Sequence, residues 1–198
     1  MTMFTECLHI YRFFRGYTKW FLSGRPFPPP HIIKQAAIRN YSRRFNLETL
    51  VESGTFMGDM VKAQQPYFQK IISIELSKEF FEKAVKRFLG NNNIEIMFGD
   101  SGEIIKEIVP RLTIPALFWL DGHYSGGDTA KSNIETPIVS ELETIFKSNL
   151  DHVILIDDAR LFVGENDYPT INYLQEYAKN FQYQLINKND IIRLTKSL

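Results

Sequence analysis

From residue 47 onward the chain alternates short apolar runs with longer amphipathic segments. Residues 49–52, 71–76, 94–98, 116–120 and 153–156 are short and largely apolar, and most run directly into glycine, aspartate or glutamate. Short apolar runs bounded by turn-forming residues are the pattern of strands buried on both faces. Between them, residues 78–89, 102–112 and 136–147 carry apolar side chains at helical spacing, and a further helix is predicted over 169–180. Strand and helix in alternation predict a parallel sheet covered on both sides. Residues 183–187 and 191–195 predict two last strands joined by Lys188-Asn189-Asp190, a turn-forming stretch that suits an antiparallel hairpin at the end of the sheet.

The first 45 residues follow another pattern. Residues 31–45 predict a helix with Ile32, Ile33, Ala36, Ala37 and Tyr41 on one side and Lys34, Arg39, Arg43 and Arg44 turned to solvent. Ahead of it, Arg25-Pro26-Phe27-Pro28-Pro29-Pro30 stops any helix, because proline lacks the amide hydrogen and restricts the residue before it. Phe4, Leu8, Tyr11, Phe14, Tyr17, Trp20 and Phe21 make the leading segment aromatic, but Arg12, Arg15 and Lys19 interrupt it, so neither a spanning helix nor a cleavable leader is expected. It reads as an amphipathic helix packed on the domain or on a second copy of the chain, a possible homodimer contact. A membrane-surface helix and a lid over the site are the alternatives. The expected division is residues 1–45 as a helical extension and 46–198 as the ligand-binding domain.

Charge and cysteine content narrow the partners. The 198 residues carry 23 lysines and arginines against 23 aspartates and glutamates. With the basic residues scattered among acids, a nucleic-acid partner is not expected. The single Cys7 rules out an internal disulfide framework and fits a reducing, cytoplasmic setting.

The polar residues fall where an open α/β sheet binds ligands, at the carboxyl ends of its strands. The first strand runs into Glu52-Ser53-Gly54-Thr55-Phe56-Met57-Gly58-Asp59, whose glycines allow close backbone approach to a ligand. The second ends in Ile74-Glu75-Leu76, which sets an acid about 20 residues beyond the glycine loop, the spacing of an acid that meets ribose hydroxyls. The third ends in Phe98-Gly99-Asp100-Ser101. A plain strand-to-helix turn with Glu75 as a helix-start acid is the alternative.

With these three strand ends the chain resembles the class I S-adenosylmethionine-dependent methyltransferases, a Rossmann-like seven-stranded fold whose terminal hairpin sets it apart from the usual dinucleotide-binding sheet. The resemblance spans residues 47–198. It implies that Glu52, Gly54, Thr55 and Gly58 wrap the methionine part of the cofactor, Glu75 binds ribose, and Asp100 with Ser101 meets adenine. The loop Glu-x-Gly-x-x-x-Gly lacks one glycine that more typical members carry between those two.

Two further strand ends, Leu120-Asp121-Gly122-His123-Tyr124 and Ile156-Asp157-Asp158-Ala159-Arg160, bring three more carboxylates to the same edge. Here the chain is similar to metal-dependent O-methyltransferases of small molecules and macrolide sugars. The likeness implies a magnesium ion held by Asp121, Asp157 and Asp158, with Asp121 also beside the cofactor. Catechol-type members place a lysine where this chain has Tyr124. Structural roles are the alternative: Asp158 pairing with Arg160, Asp157 capping a turn. His123, next to Ser125-Gly126-Gly127-Asp128, is a candidate proton acceptor for a substrate hydroxyl, or a loop histidine that only hydrogen-bonds. The expected activity is methyl transfer from S-adenosylmethionine to a hydroxyl of a small molecule or sugar, catalysed through His123 and Asp121. A nicotinamide-dependent oxidoreductase and a non-catalytic nucleotide-binding module are the rival readings.

Overall fold

The computed structural model of the protein describes residues 14–121 and 136–196. Strands β1 (Thr49–Ser53), β2 (Lys70–Glu75), β3 (Ile94–Phe98), β4 (Leu117–Leu120), β5 (Val153–Ile156), β6 (Tyr183–Lys188) and β7 (Ile191–Lys196) form one seven-stranded sheet in the order β3-β2-β1-β4-β5-β7-β6. The first five are parallel, and β7 runs antiparallel between β5 and β6. Strand order reverses between β1 and β4, which opens a crevice above their carboxyl ends. The hairpin closes on two residues, with Lys188 opposite Ile191, and Asn189 and Asp190 sit at φ 53° and 60°. Positive φ at both central positions matches the right-handed twist of the strands, and asparagine and aspartate tolerate it.

Helices α2 (His31–Phe45), α3 (Asp59–Gln64), α4 (Lys78–Arg87), α5 (Ser101–Ile108), α6 (Ile138–Phe146) and α7 (Ile171–Lys179) flank the sheet, preceded by α1 (residues 14–22). Alternation along each strand sorts the core into two layers. Val51, Phe118, Leu120, Ile154 and Ile156 point to α5, α6 and α7, where Ile105, Leu142, Ile145 and Leu174 meet them. Leu50, Leu117, Trp119, Val153 and Leu155 point the other way, onto Ile38 of α2, Val61 of α3 and Ala84 of α4. His152, fully buried just before β5, accepts the Ala116 N–H on Nδ1 at 3.0 Å and meets Ser148 Oγ through Nε2 at 3.0 Å. Burial pushes its pKa down to about 4.

Two sequence expectations change here. Helix α2 spans the predicted residues, but its inward stripe is Ala37, Ile38, Tyr41 and Phe45, and Lys34, one turn before Ile38, lies on that stripe instead of facing solvent. Arg39 is likewise half-buried, over the Tyr67 ring, whereas Arg43 and Arg44 are exposed. The basic residues are also not evenly mixed with acids. Residues 14–47 hold Arg15, Lys19, Arg25, Lys34, Arg39, Arg43 and Arg44 and no acid at all. In α1, Trp20 is buried and its indole donates to the Pro26 carbonyl at 2.9 Å, while Phe14, Phe21 and Leu22 are exposed. Among the described residues no helix is long and apolar enough to cross a membrane.

Candidate functional site

Register places the strand-end acids along one rim. Ser53 is opposite Ile74 and Leu120, and Leu120 opposite Ile156. The ladder continues one step further: Asp121 N–H donates to the Ser53 carbonyl at 3.1 Å, and Asp157 N–H to the Leu120 carbonyl at 3.0 Å. Side chains alternate between faces, so Glu52, Asp121 and Asp157, each two residues beyond Leu50, Trp119 and Leu155, share the side of the sheet that α2 covers.

Glu52 is buried at the floor of the crevice. Its Oε2 accepts from Ser73 Oγ at 2.5 Å, and Ser73 Oγ meets Thr55 Oγ1 at 2.6 Å, so Thr55 is the donor at the head of a short relay. Burial, with help from the charges of Asp121 and Glu75 and against the Ser73 bond, pushes the Glu52 pKa up to about 8. Glu75, opposite Phe98 at the end of β2, accepts the Phe56 N–H at 2.7 Å and the Ser77 N–H at 2.8 Å. Both oxygens are thereby aimed, and the acid ties the loop after β1 to β2. Gly54, at φ 88°, lets that loop turn back so that the N–H groups of Gly54 and Thr55 both reach the Ile74 carbonyl. Phe56 and Phe98, both half-exposed, pack on Phe80 and Phe81 and give Glu75 an apolar rim that the sequence reading did not single out.

Gly58 has a packing reason for being glycine: at φ 75°, a Cβ there would lie 2.7 Å from the Phe88 ring. Asp100 caps α5, its Oδ1 accepting the Gly102 N–H at 2.8 Å, with Ser101 buried behind it. His123 and the rest of residues 122–135 lie outside the described residues.

The acids after β5 form a charge network that the sequence reading saw only in part. Asp157 is buried; its Oδ1 accepts the Asp158 N–H at 2.8 Å, and its Oδ2 pairs with Lys34 Nζ. Lys34 Nζ also lies 3.5 Å from Asp158 Oδ1, which Arg160 meets at 2.7 Å. Arg160 reaches on to Asp190 of the hairpin turn, whose Oδ1 accepts the Arg160 N–H at 2.8 Å. The pairing of Asp158 with Arg160 and the local bond of Asp157 are therefore as the structural alternative has them. Burial opposes the Lys34 ammonium, but the carboxylates of Asp157, Asp121 and Asp158 outweigh it and hold its pKa above the ordinary lysine value. Burial raises the Asp157 pKa, and Lys34 works against that rise. Below Asp157 a small cavity is lined by Thr136, Glu141, Phe162 and Tyr168, with Glu141 a buried acid on α6.

This strand order, with the antiparallel seventh strand inserted before the sixth, is the seven-stranded methyltransferase fold. The O-methyltransferase TomG from Streptomyces achromogenes, solved with S-adenosylmethionine, is similar at a TM-score of 0.61 and 14% identity over 96% of this chain and 90% of its own. A putative caffeoyl-CoA O-methyltransferase from Staphylococcus aureus matches at 0.58 and 14% over 97% of each chain, and a Bacillus cereus O-methyltransferase with bound S-adenosylhomocysteine at 0.58 and 11% over 94% and 91%. No protein-family model and no curated protein matches the sequence.

Proposed function

We propose that the protein is an S-adenosylmethionine-dependent methyltransferase that acts on a hydroxyl oxygen of a small molecule or sugar. The observation that carries this reading is Glu75, aimed by two backbone N–H groups at the end of β2, one strand from the switch point of a methyltransferase sheet, with Glu52 buried between it and Asp121. Glu75 would take the ribose hydroxyls, and Gly54, Thr55, Gly58 and Glu52 would form the wall on the methionine side. Asp100 and Ser101 would flank adenine, and Asp121 would lie below the sulfonium. The structures that share the fold include O-methyltransferases solved with this cofactor or its product, which supports the assignment.

Bound there, S-adenosylmethionine supplies a methyl group already activated on a sulfonium, so the chain's own task is alignment and exclusion of water. Burial raises the Glu52 pKa to about 8, and a cationic ligand beside it would favour its charged form. His123 is the proposed acceptor of the substrate proton. Clustered carboxylates at the crevice disfavour a polyphosphate acceptor, which supports a small molecule or sugar over nucleic acid. The antiparallel hairpin favours this reading over a nicotinamide-dependent oxidoreductase.

Magnesium at Asp121, Asp157 and Asp158 fits poorly. The Lys34 ammonium already pairs with Asp157 Oδ2, and the other Asp157 oxygen accepts a backbone N–H. Among the described residues no group of three or more acids, histidines or cysteines is arranged to hold a metal. The exposed aromatic face of α1 supports a homodimer contact in the extension, residues 1–45, and the lone Cys7 supports a cytoplasmic setting.

Thermal unfolding tests the central claim, because a ligand that binds only the native state raises the melting temperature by mass action. S-adenosylmethionine and S-adenosylhomocysteine should each raise it, NAD should not, and Glu75→Ala should shrink the response at least tenfold in apparent affinity. Equal shifts with all three ligands would sink the assignment.

A further inference from the structure

Lys34 is the one cation that α2 delivers into the acid rim. Its stem shares the buried stripe with Ile38, and its ammonium sits with only 14% of the side chain exposed, against Asp157 and 3.5 Å from Asp158. We propose that Lys34 is the built-in cation of the acceptor site: it does the electrostatic work that a divalent ion does in metal-dependent transferases, and the site needs no metal. This rests on the methyltransferase reading above.

Three features of the geometry support it. The carboxylates a divalent ion would need are committed, Asp157 to Lys34 and to the Asp158 N–H, Asp158 to Arg160. A dication placed among them would also meet the ammonium's like charge at close range. Lastly, an ammonium offers three N–H bonds. Asp157 takes one and Asp158 faces a second, and the proposal gives the third to an acceptor oxygen. Transfer forms the O–CH3 bond and breaks the S–CH3 bond, whose electron pair stays on sulfur. The hydroxyl proton passes to a base, while Lys34 stays protonated and steadies the negative charge that the oxygen carries once that proton has left and until the methyl group is attached. Lys34 thus acts directly on the acceptor oxygen.

Manganese binding to the full chain, followed by electron paramagnetic resonance of the free ion, tests this without knowledge of the acceptor. Wild type should show no saturable site. Lys34→Met keeps the apolar stem but removes the charge, and should bind manganese at least tenfold more tightly; adding Asp157→Asn should abolish the gain. Lys34→Arg, which restores a cation, should again exclude the metal. A saturable wild-type site lost in Asp157→Asn would overturn the proposal, as would a Lys34→Met variant, folded by circular dichroism, that gains no affinity. Calorimetry with S-adenosylmethionine on the same wild-type samples separates the two claims. Cofactor binding together with a wild-type manganese site defeats only the role of Lys34, whereas manganese exclusion without cofactor binding defeats the methyltransferase reading.

Discussion

At the scale of single residues, His152 links folding to pH. Its folded pKa, pushed down to about 4, lies below the usual value near 6.5, so the unfolded chain binds more protons between those limits. Its stabilising contribution is therefore complete above pH 6.5 and is lost as pH falls toward 4, by about 3 kcal/mol at 1.36 kcal/mol per unit. Glu52 has the opposite slope: its raised pKa favours the folded state at low pH, and that preference fades as pH climbs through about 8. Urea unfolding of wild type and His152→Gln at about pH 7.5 and about pH 5 isolates the histidine. Wild type should lose the larger share of its stability on acidification, and parallel losses in the two proteins would show that His152 carries no such linkage. The strand-end acids Glu52, Glu75, Asp121 and Asp157 could be read from the sequence because each ends or directly follows an apolar run, which fixes it at a strand end. Lys34 was missed because the apolar residues of 31–45 fit more than one helical phase. Taking Ile38 as the inward residue, with Lys34 four before it, would have revealed the ammonium.

At the scale of elements, the strands were legible nearly to the residue, since apolar runs buried on both faces leave little freedom in where they begin and stop. The hairpin was legible for a different reason, the asparagine and aspartate that its turn requires. Helix α3 was not, because six residues are too few to show a period and its entry is set by a backbone conformation that sequence pattern does not carry. That entry depends on Gly58. Gly58→Ala should cost about 1–2 kcal/mol for the left-handed backbone alone, with more from the Cβ that would press on the Phe88 ring at 2.7 Å. A double-mutant cycle with Phe88→Leu checks this by urea unfolding. The pair should be more stable than the sum of the single losses, because the smaller side chain relieves the clash, and strict additivity would place the cost of Gly58→Ala elsewhere.

At the scale of the whole molecule, α1 stands apart from the sheet's own layers. Only Trp20 of its described residues is deeply buried, and its aromatic face is left outside. Deleting residues 1–24 should turn a dimer into a monomer in sedimentation equilibrium while leaving the melting-temperature response to S-adenosylmethionine intact; a full chain that sediments as a monomer at all concentrations would remove α1 as an interface. The acid rim has a different dependence on the chain as a whole. Lys34 and Asp157 are 123 residues apart in sequence, and the pair forms only when the first fully covering helix meets the fifth strand. Contacts that span so much chain are rewarded only after the closure entropy of the intervening segment has been met. A chain with its sheet assembled and α2 not yet docked would present Asp121 and Asp157 without that ammonium, while Asp158 keeps Arg160, and should bind divalent ions more tightly than the finished protein. Divalent ions that the native state excludes would hold back its last step, and refolding should run faster in a chelating buffer than in one rich in magnesium.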